Sequence, residues 1–180
     1  MAAAKDGRKA PVRKTAAEEQ LPGIDDARAA FAPALSPALE RPRSMLRALS
    51  FRPPQLLHLE GGETADRVAL ALWWAAQLNC DDPEGMDPKA SARGPCLSCP
   101  SCLRIGADMH PDLILLDGRE GSIKIDDVRG LRPVLGEKPH FGRWRVIIAA
   151  EAQSLGIEAA NSLLKVLEDP CPDTCFVFTA

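Results

Sequence analysis

The sequence predicts an α/β protein built on a parallel sheet, and a strand–helix–strand unit near its carboxyl end carries this prediction. Residues 146–150 (VIIAA) and 175–178 (CFVF) are short apolar runs typical of strands buried on both faces. The segment between them carries apolar residues at helical spacing, namely Ile157, Ala160, Leu163, Leu164, Val166 and Leu167. Gly156 is an acceptable N-cap, and Asp169-Pro170 ends the helix. Two strands joined through one helix run parallel in a sheet, which places the chain in the α/β class.

The elements nearer the amino terminus alternate in the same way. Residues 44–49 predict a short helix that stops before Pro53-Pro54, and residues 55–60 (QLLHLE) predict the first strand. After a turn at Gly61-Gly62, residues 68–80 predict a strongly apolar helix. The pattern of strand, turn and helix is therefore repeated.

The middle of the chain supplies a loop, a strand and a helix. Residues 81–95 contain three prolines and two glycines, so they predict an irregular loop. Residues 112–116 (DLILL) predict a second strand. A helix over residues 128–136 follows, and Asp126 or Asp127 could cap it.

The composition limits the class of the protein and its location. The chain has 180 residues and a formal net charge of −3, which gives no whole-chain signal for nucleic acid or membrane. No apolar run approaches the roughly 20 residues of a membrane span, and residues 1–14 lack the apolar core of a secretory signal. Six cysteines without an export signal favour a reducing compartment, where clustered thiols indicate metal rather than disulfides. We therefore expect a cytoplasmic protein.

Charge and composition also divide the chain. Residues 1–50 carry nine Lys or Arg against six Asp or Glu, a net of +3 that leaves −6 for residues 51–180. Residues 1–33 hold almost no large apolar side chains, so burial could not offset the entropy of ordering, and a disordered extension is predicted. Residues 34–180 are assigned to the folded core. Because the chain stops at Thr179-Ala180 directly after an apolar strand, we expect it to be part of a longer protein.

The sharpest motif is a cluster of cysteines. Cys96, Cys99 and Cys102 form two overlapping Cys-x-x-Cys steps, and Cys80 ends the preceding helix. Four thiolates can close a tetrahedral zinc site with no open position, which is the pattern of a structural site. An iron–sulfur cluster also uses tight spacing, but its common run has a fourth cysteine where residues 103–106 (LRIG) follow here. We predict structural zinc, with an iron–sulfur cluster and free thiols as the alternatives.

Other candidate residues have simpler explanations. Cys171 and Cys175 lie on a separate element and are interpreted as ordinary buried cysteines. His110 precedes a strand, where a local hydrogen-bonding role is commoner than catalysis. Trp73 and Trp74 lie in an apolar helix, so core packing explains them better than base stacking.

The turn after the first strand has the context of a phosphate-binding loop but not its contents. Such a loop reads G-x-x-x-x-G-K-[ST] between a strand and a helix. The same frame here consists of Gly61, Gly62, Glu63, Thr64, Ala65, Asp66, Arg67 and Val68. Asp66 stands where the loop needs glycine, Arg67 keeps the charge of the missing lysine but not its shape, and Val68 offers magnesium no hydroxyl. We therefore interpret the turn as a degenerate nucleotide site and expect no ATP binding.

The end of the central strand supports this interpretation. In nucleotide-hydrolysing proteins built on this frame, acidic residues at that strand end hold magnesium and position water. The strand here ends at Ala150-Glu151, so one of the two expected carboxylates is missing. No Ser/His/Asp or Cys/His nucleophile arrangement is evident either, and we expect no enzymatic activity of the chain's own.

Together these pieces resemble one family, the clamp-loader subunits of bacterial DNA polymerase III. The degenerate loop and the four cysteines occur in the family's order and are followed by four segments: HPDLILL, IKIDDVRGL, RWRVIIAAEAQSL and EAANSLLKVLEDP. The resemblance covers roughly residues 45–180. It implies a three-layer AAA+ core of the P-loop NTPase type with a zinc knuckle inserted over residues 80–102. Tau and gamma, the motor subunits of the family, keep an intact phosphate loop and an Asp-Glu strand end, so this sequence is more similar to the delta-prime type.

The resemblance implies a role within a larger assembly. A delta-prime-like subunit works beside the motor subunit (tau/gamma) and delta in the complex that opens the sliding clamp and loads it onto primed DNA. It holds structural Zn²⁺ and keeps only a vestigial nucleotide site, which here would comprise the residues Gly61, Gly62, Thr64, Asp66, Arg67, Val68, Ala150 and Glu151. The arginine that such a subunit lends to its neighbour, the helical lid and the collar are expected beyond Ala180.

Two alternatives stay open at this point. In the first, the chain is a divergent motor ATPase in which Arg67 replaces the lysine and Glu151 is the base. In the second, it is a free-standing zinc-dependent module for protein interaction. ATP binding would favour the first, and independence from the motor subunit would favour the second.

Overall fold

The computed structural model describes residues 23–82, 94–168 and 172–180, and a four-stranded sheet lies at its centre. In chain order the strands are β1 (Leu56–Leu59), β2 (Leu113–Asp117), β3 (Arg145–Ala150) and β4 (Thr174–Thr179). All pairings are parallel, in the order β1-β4-β3-β2. Strands β3 and β4 are neighbours, with Ile147 opposite Phe176, as the strand–helix–strand unit predicts. The predicted α/β class with a parallel sheet is confirmed.

The described residues also contain seven α-helices. They are α1 (Ile24–Ala29), α2 (Glu40–Leu49), α3 (Thr64–Asn79), α4 (Pro100–Gly106), α5 (Ile125–Arg129), α6 (Arg132–Leu135) and α7 (Ile157–Glu168). Helix α3 follows β1, and α7 connects β3 to β4. Within the described part of the chain, none of the helices has the length and apolar character needed to cross a membrane.

Helices cover both faces of the sheet. Successive side chains of a strand point to opposite faces, so Val146 and Ile148 of β3 pack with α3, whereas Ile147 packs with α5 and α7. All three side chains are fully buried. Two apolar cores separated by one sheet make the three layers that the sequence predicts.

The paired tryptophans of α3 belong to the first of these cores. Trp73 and Trp74 are 2% and 0% exposed. The indole N–H of Trp74 donates to the carbonyl of Leu46 at 3.0 Å and to the hydroxyl of Ser50 at 3.1 Å. These bonds satisfy the indole N–H, so burying the ring leaves no unpaired polar group. The prediction of core packing is confirmed.

Helix α7 buries only part of the apolar set that its sequence predicts. Ile157 and Leu164, assigned to the apolar face, are 82% and 56% exposed. The side chains that face α5 include Ala159 and Leu163, which are 1% and 2% exposed. Leu163 belongs to the predicted apolar set, and Val166 and Leu167 of that set also pack against this core. Periodicity could not tell which apolar side chains face the core, and the contact between α5 and α7 decides it.

Two element boundaries also differ from expectation. Helix α3 begins at Thr64 rather than at residue 68, because residues 64–67 form its first turn behind the N-cap Glu63. The single helix expected over residues 128–136 is instead the pair α5 and α6. Pro133 has no N–H to continue the hydrogen-bond ladder of α5 and sits in the first turn of α6.

The described part of the predicted disordered extension is folded. Residues 23–33 include α1, and the side chains of Ala27 and Phe31 are both 0% exposed. They pack against α4, whose position follows from the cysteine segment. Ala27 and Phe31 can be buried here because α4 already provides a surface for them to pack against. Composition alone cannot reveal that surface. The remainder of the predicted extension, residues 1–22, lies outside the described residues.

The close approach of α1 to α4 predicts a strict requirement at Gly106. A Cβ at this position would lie 2.1 Å from the carbonyl oxygen of Ala27 and 2.8 Å from the Phe31 ring. We expect Gly106→Ala to lower the free energy of unfolding by about 1–3 kcal/mol, since backbone must move to relieve the overlap. Urea unfolding followed by tryptophan fluorescence measures the change. Gly136→Ala is the matched control because a Cβ there meets nothing within 4 Å, and equal stability of the two variants would contradict the packing argument.

Candidate metal centre and nucleotide-loop region

The four predicted cysteine ligands meet at one point in the structure. The Sγ atoms of Cys80, Cys96, Cys99 and Cys102 all lie within 4.8 Å of one another, and those of Cys80 and Cys99 are 4.0 Å apart. Four sulfurs at zinc–sulfur distances of about 2.3 Å in a tetrahedron are roughly 3.8 Å apart. The group could therefore hold a metal ion after a small contraction.

Helix ends place these thiols. Cys80 is the C-cap of α3, and Cys99 is the N-cap of α4, so two of the positions follow from where helices stop and start. Leu97, inside the first Cys-x-x-Cys step, has a φ of +54°. This left-handed residue turns the chain tightly enough to bring Cys99 back beside Cys96.

Backbone N–H groups of the same segments point at the sulfurs. The amides of Cys96, Cys99 and Cys102 donate to the thiols of Cys80, Cys96 and Cys99 at 3.4, 3.3 and 3.4 Å. The amide of Asp81 also donates to Cys99 Sγ at 3.4 Å. Such donors stabilise thiolates, the form that binds metal.

The thiol pKa values reflect a compact group that shares protons. Hydrogen bonding from Cys102, together with the backbone amides, lowers the pKa of Cys80 to about 5. Burial raises the pKa of Cys99 to about 11, and the hydrogen bond to Cys80 together with burial raises that of Cys102. Ionisation of one thiol therefore makes ionisation of its neighbours less favourable. A divalent cation would supply the positive charge that lets all four thiols lose their protons.

A second arrangement lies where the phosphate-binding loop was expected. The Arg67 guanidinium reaches the carboxylate of Glu151, with Nη2 and Oε1 2.7 Å apart and side chains only 10% and 15% exposed. Arg67 extends from the first turns of α3, after β1, whereas Glu151 follows β3, so the pair bridges across the intervening β4. The two residues are 84 positions apart in the chain, so the sequence could not predict that they are in contact.

The carbonyl groups of the loop are also turned toward Arg67. Its Nη1 donates to the carbonyl oxygens of Gly62 at 2.8 Å and Gly61 at 3.3 Å, and its Nη2 donates to Thr64 Oγ1 at 3.2 Å. Gly61 and Gly62 have φ values of +82° and +70°, which glycine adopts without strain. A phosphate-binding loop presents backbone N–H groups to its ligand. This loop instead presents carbonyl oxygens to the Arg67 guanidinium.

Both oxygens of the Glu151 carboxylate have donors. Oε1 accepts from Arg67, and Oε2 accepts from the side-chain amide of Gln153 at 2.7 Å. The hydrogen bond from Arg67 is the main reason that the pKa of Glu151 is lowered. A lowered carboxyl pKa adds stability above the unfolded-state pKa and loses it as pH falls through the folded value, so the pair is intact at neutral pH.

The other predicted loop residues take supporting positions. Asp66 lies in the first turn of α3, where the helix dipole stabilises an acidic side chain. Val68 is 5% exposed and belongs to the core. Ala150 is fully buried, and its carbonyl accepts from the amide of Gly118 at 2.9 Å. The structure thus brings Gly61, Gly62, Thr64, Arg67 and Glu151 together, and Asp66, Val68 and Ala150 serve the surrounding framework.

Residues explained as structural behave as expected where they are described. Nδ1 of His110 accepts from the amide of Asp112 at 3.1 Å, the local role predicted for it. Cys175 is buried in β4, and burial raises its pKa to about 12. Cys171 lies outside the described residues.

Sequence reasoning missed a buried acidic residue that directly precedes β2. The Asp112 side chain is 0% exposed, and its Oδ1 accepts from the amide of His140 at 2.7 Å. Its Oδ2 accepts from the amides of Phe141 and Gly142 at 2.7 and 2.8 Å. The guanidinium of Arg145, 1% exposed, lies 3.8 Å from the carboxylate. An aspartate directly before an apolar strand is the signal that could have suggested this role.

Comparison with known proteins places these features in a family. The sequence model of the family described as DNA polymerase III, delta subunit, matches residues 51–180. The chain belongs to this family. The delta' subunit of DNA polymerase III from Pseudomonas aeruginosa (strain PAO1) is 37% identical over 118 residues, which are 64% of this chain and 34% of that protein. The tau subunit from Bacillus subtilis is 28% identical over 120 residues, 67% of this chain and 20% of that protein.

These relatives define a delta-prime-like chain within the clamp-loader family. It spans about a third of the length of the Pseudomonas delta' subunit that it matches. Among solved structures, a gamma subunit-related protein of DNA polymerase III from Thermotoga maritima has a TM-score of 0.51 at 19% identity and covers 76% of this chain and 38% of that one. At this identity the likeness shows the fold alone, an α/β fold that the two proteins share.

Proposed function

We propose that this delta-prime-like chain belongs to a non-hydrolysing subunit of the DNA polymerase III clamp loader. In this role it works in the cytoplasm beside the motor subunit (tau/gamma) and delta, and the complex loads the sliding clamp onto primed DNA. Family membership and the delta' relatives support the assignment to the holoenzyme. The ion pair between Arg67 and Glu151 is the observation that carries the non-hydrolysing part.

The argument from this pair is electrostatic and steric. A motor subunit uses the loop and the strand end to hold phosphates and magnesium, so both must be open to ligand. Here the cation of the loop and the anion of the strand end neutralise each other at 2.7 Å, and loop carbonyl oxygens accept from Nη1 of Arg67. A nucleotide would have to break this pair and meet carbonyl oxygens instead of N–H groups. The loop therefore has a structural role, because its ion pair holds the start of α3 against the sheet.

We further propose that the cysteine group holds structural Zn²⁺ through Cys80, Cys96, Cys99 and Cys102. The four-thiol donor set, the N–H···S bonds and the absence of a fifth protein donor among the described residues fit a closed tetrahedral site. Such an ion would tie the end of α3 to the start of α4. Its contribution is to folding rather than to chemistry.

A calorimetric titration with ATP and magnesium tests the proposed function. We expect no saturable heat from the zinc-loaded protein at millimolar nucleotide, because the Arg67–Glu151 pair fills the site. A motor subunit of the tau/gamma type, titrated in the same buffer, provides the positive control.

One outcome would reverse the assignment. If saturable binding occurs and Arg67→Ala abolishes it, Arg67 serves nucleotide rather than Glu151, and the chain is a divergent motor ATPase.

A further inference from the structure

The loop before β3 reaches the cysteine group through Arg143. Nη2 of Arg143 donates to the carbonyl oxygen of Cys80 at 3.0 Å. The same peptide unit continues into the amide of Asp81, which donates to Cys99 Sγ at 3.4 Å. One peptide group thus accepts from a cation on one side and donates to a sulfur on the other.

This arrangement orients and polarises the donor to the sulfur. A guanidinium on the carbonyl withdraws electron density from the peptide, which strengthens the N–H···S bond at its opposite end. It also brings positive charge toward a site whose complex of one Zn²⁺ with four thiolates carries a net charge of −2. Groups beyond the ligands commonly change metal affinity by about 10–100-fold.

The position of Arg143 is itself fixed by neighbouring contacts. The amides of Phe141 and Gly142 are held by the buried carboxylate of Asp112, at 2.7 and 2.8 Å. On its other side, the backbone of Trp144 exchanges two hydrogen bonds of 2.9 Å with the side chain of Asn79. Arg143 therefore acts from a rigid segment rather than from a free loop.

We infer that Arg143 is a positioning residue for the cysteine metal site, one that orients the Cys80–Asp81 peptide toward Cys99. The inference rests on the metal site proposed above and assigns it a support from outside the cysteine segment. Arg28 provides a useful contrast. Its Nε donates at 3.0 Å to the carbonyl of Leu97, a residue that is not a ligand.

Competition for zinc against a chromogenic chelator tests the inference. We expect Arg143→Ala to bind zinc about tenfold more weakly than the unmodified protein, and Arg143→Lys to recover part of the loss because it keeps the charge but not the planar fork. Arg28→Ala should have a smaller effect. Arg129→Ala is the matched control, since that exposed arginine lies on α5, against the opposite face of the sheet, and pairs only with Asp126 at 3.4 Å among the described residues.

A second measurement separates positioning from simple stabilisation. The gap in thermal midpoint between zinc-loaded and chelator-treated protein should shrink in Arg143→Ala, whereas a purely structural role lowers both midpoints equally. Unchanged zinc competition in Arg143→Ala would overturn the inference and leave the metal site standing. If the unmodified protein binds no zinc, the metal site and the inference both fail.

Discussion

Asp112→Asn is expected to lower the free energy of unfolding by about 3–5 kcal/mol, the usual cost of removing one partner from a buried ionic network. The fully buried carboxylate accepts three backbone amides and lies beside the buried guanidinium of Arg145. An asparagine has only one acceptor oxygen, so at least one N–H would face another donor. Arg145 would also lose its counter-charge in a site that water does not reach. Urea unfolding, followed by tryptophan fluorescence, gives the change directly.

The matched control for Asp112→Asn is Asp126→Asn. Asp126 also lies near an arginine, but its side chain is exposed and pairs with Arg129 at 3.4 Å. Exposed pairs of this kind contribute about 0–1 kcal/mol. If both variants lose the same stability, burial of the Asp112 network is not what makes it important.

Cys102→Ser is expected to weaken zinc binding by more than a hundredfold and to lower the thermal midpoint of the protein. Cys102 is 0% exposed, and its Sγ is one of the four that converge. If the roughly 10–16 kcal/mol typical of a structural zinc site is shared among four ligands, loss of one costs about 3 kcal/mol, or more than a hundredfold in affinity. Metal analysis of the purified protein and competition for zinc against a chromogenic chelator measure the first effect, and thermal unfolding in the presence and absence of a chelator measures the second.

Cys175→Ala is the control that separates loss of the site from loss of a thiol. Cys175 is buried in β4 and is not part of the cysteine group, so this variant should keep its zinc even if it is less stable. Unchanged zinc affinity in Cys102→Ser, or iron found in place of zinc in the unmodified protein, would contradict the proposed structural zinc site.

Local pattern was sufficient for much of the candidate metal site. The spacing of Cys96, Cys99 and Cys102 predicts thiols on one tight turn, and Cys80 was placed with them because it ends an apolar helix. The structure brings all four together across the long 81–95 segment. Loop length adds little to the entropy of closing such a site, so the intervening segment did not prevent the prediction.

The ion pair of Arg67 with Glu151 could not be predicted in the same way. Arg67 was identified as a departure from a nucleotide-binding motif and Glu151 as the one carboxylate left at the strand end, but their contact depends on the order of strands in the sheet. The same limit applies to Asp112, whose partners lie 28 to 30 residues further along the chain. Pairings of this kind become visible only when the strand ends are placed side by side.

The amino-acid sequence by itself determined the class of fold, the strand–helix–strand unit and the spacing of the thiols, because each depends on residues close together in the chain. Tertiary structure decided which face of α7 is buried, that Ala27 and Phe31 join the core, and that Arg67 closes the loop on Glu151. Helical periodicity and composition allow more than one outcome at these positions. Neighbouring elements select one of them, since burial and ion pairing are contacts between segments that the chain alone leaves far apart.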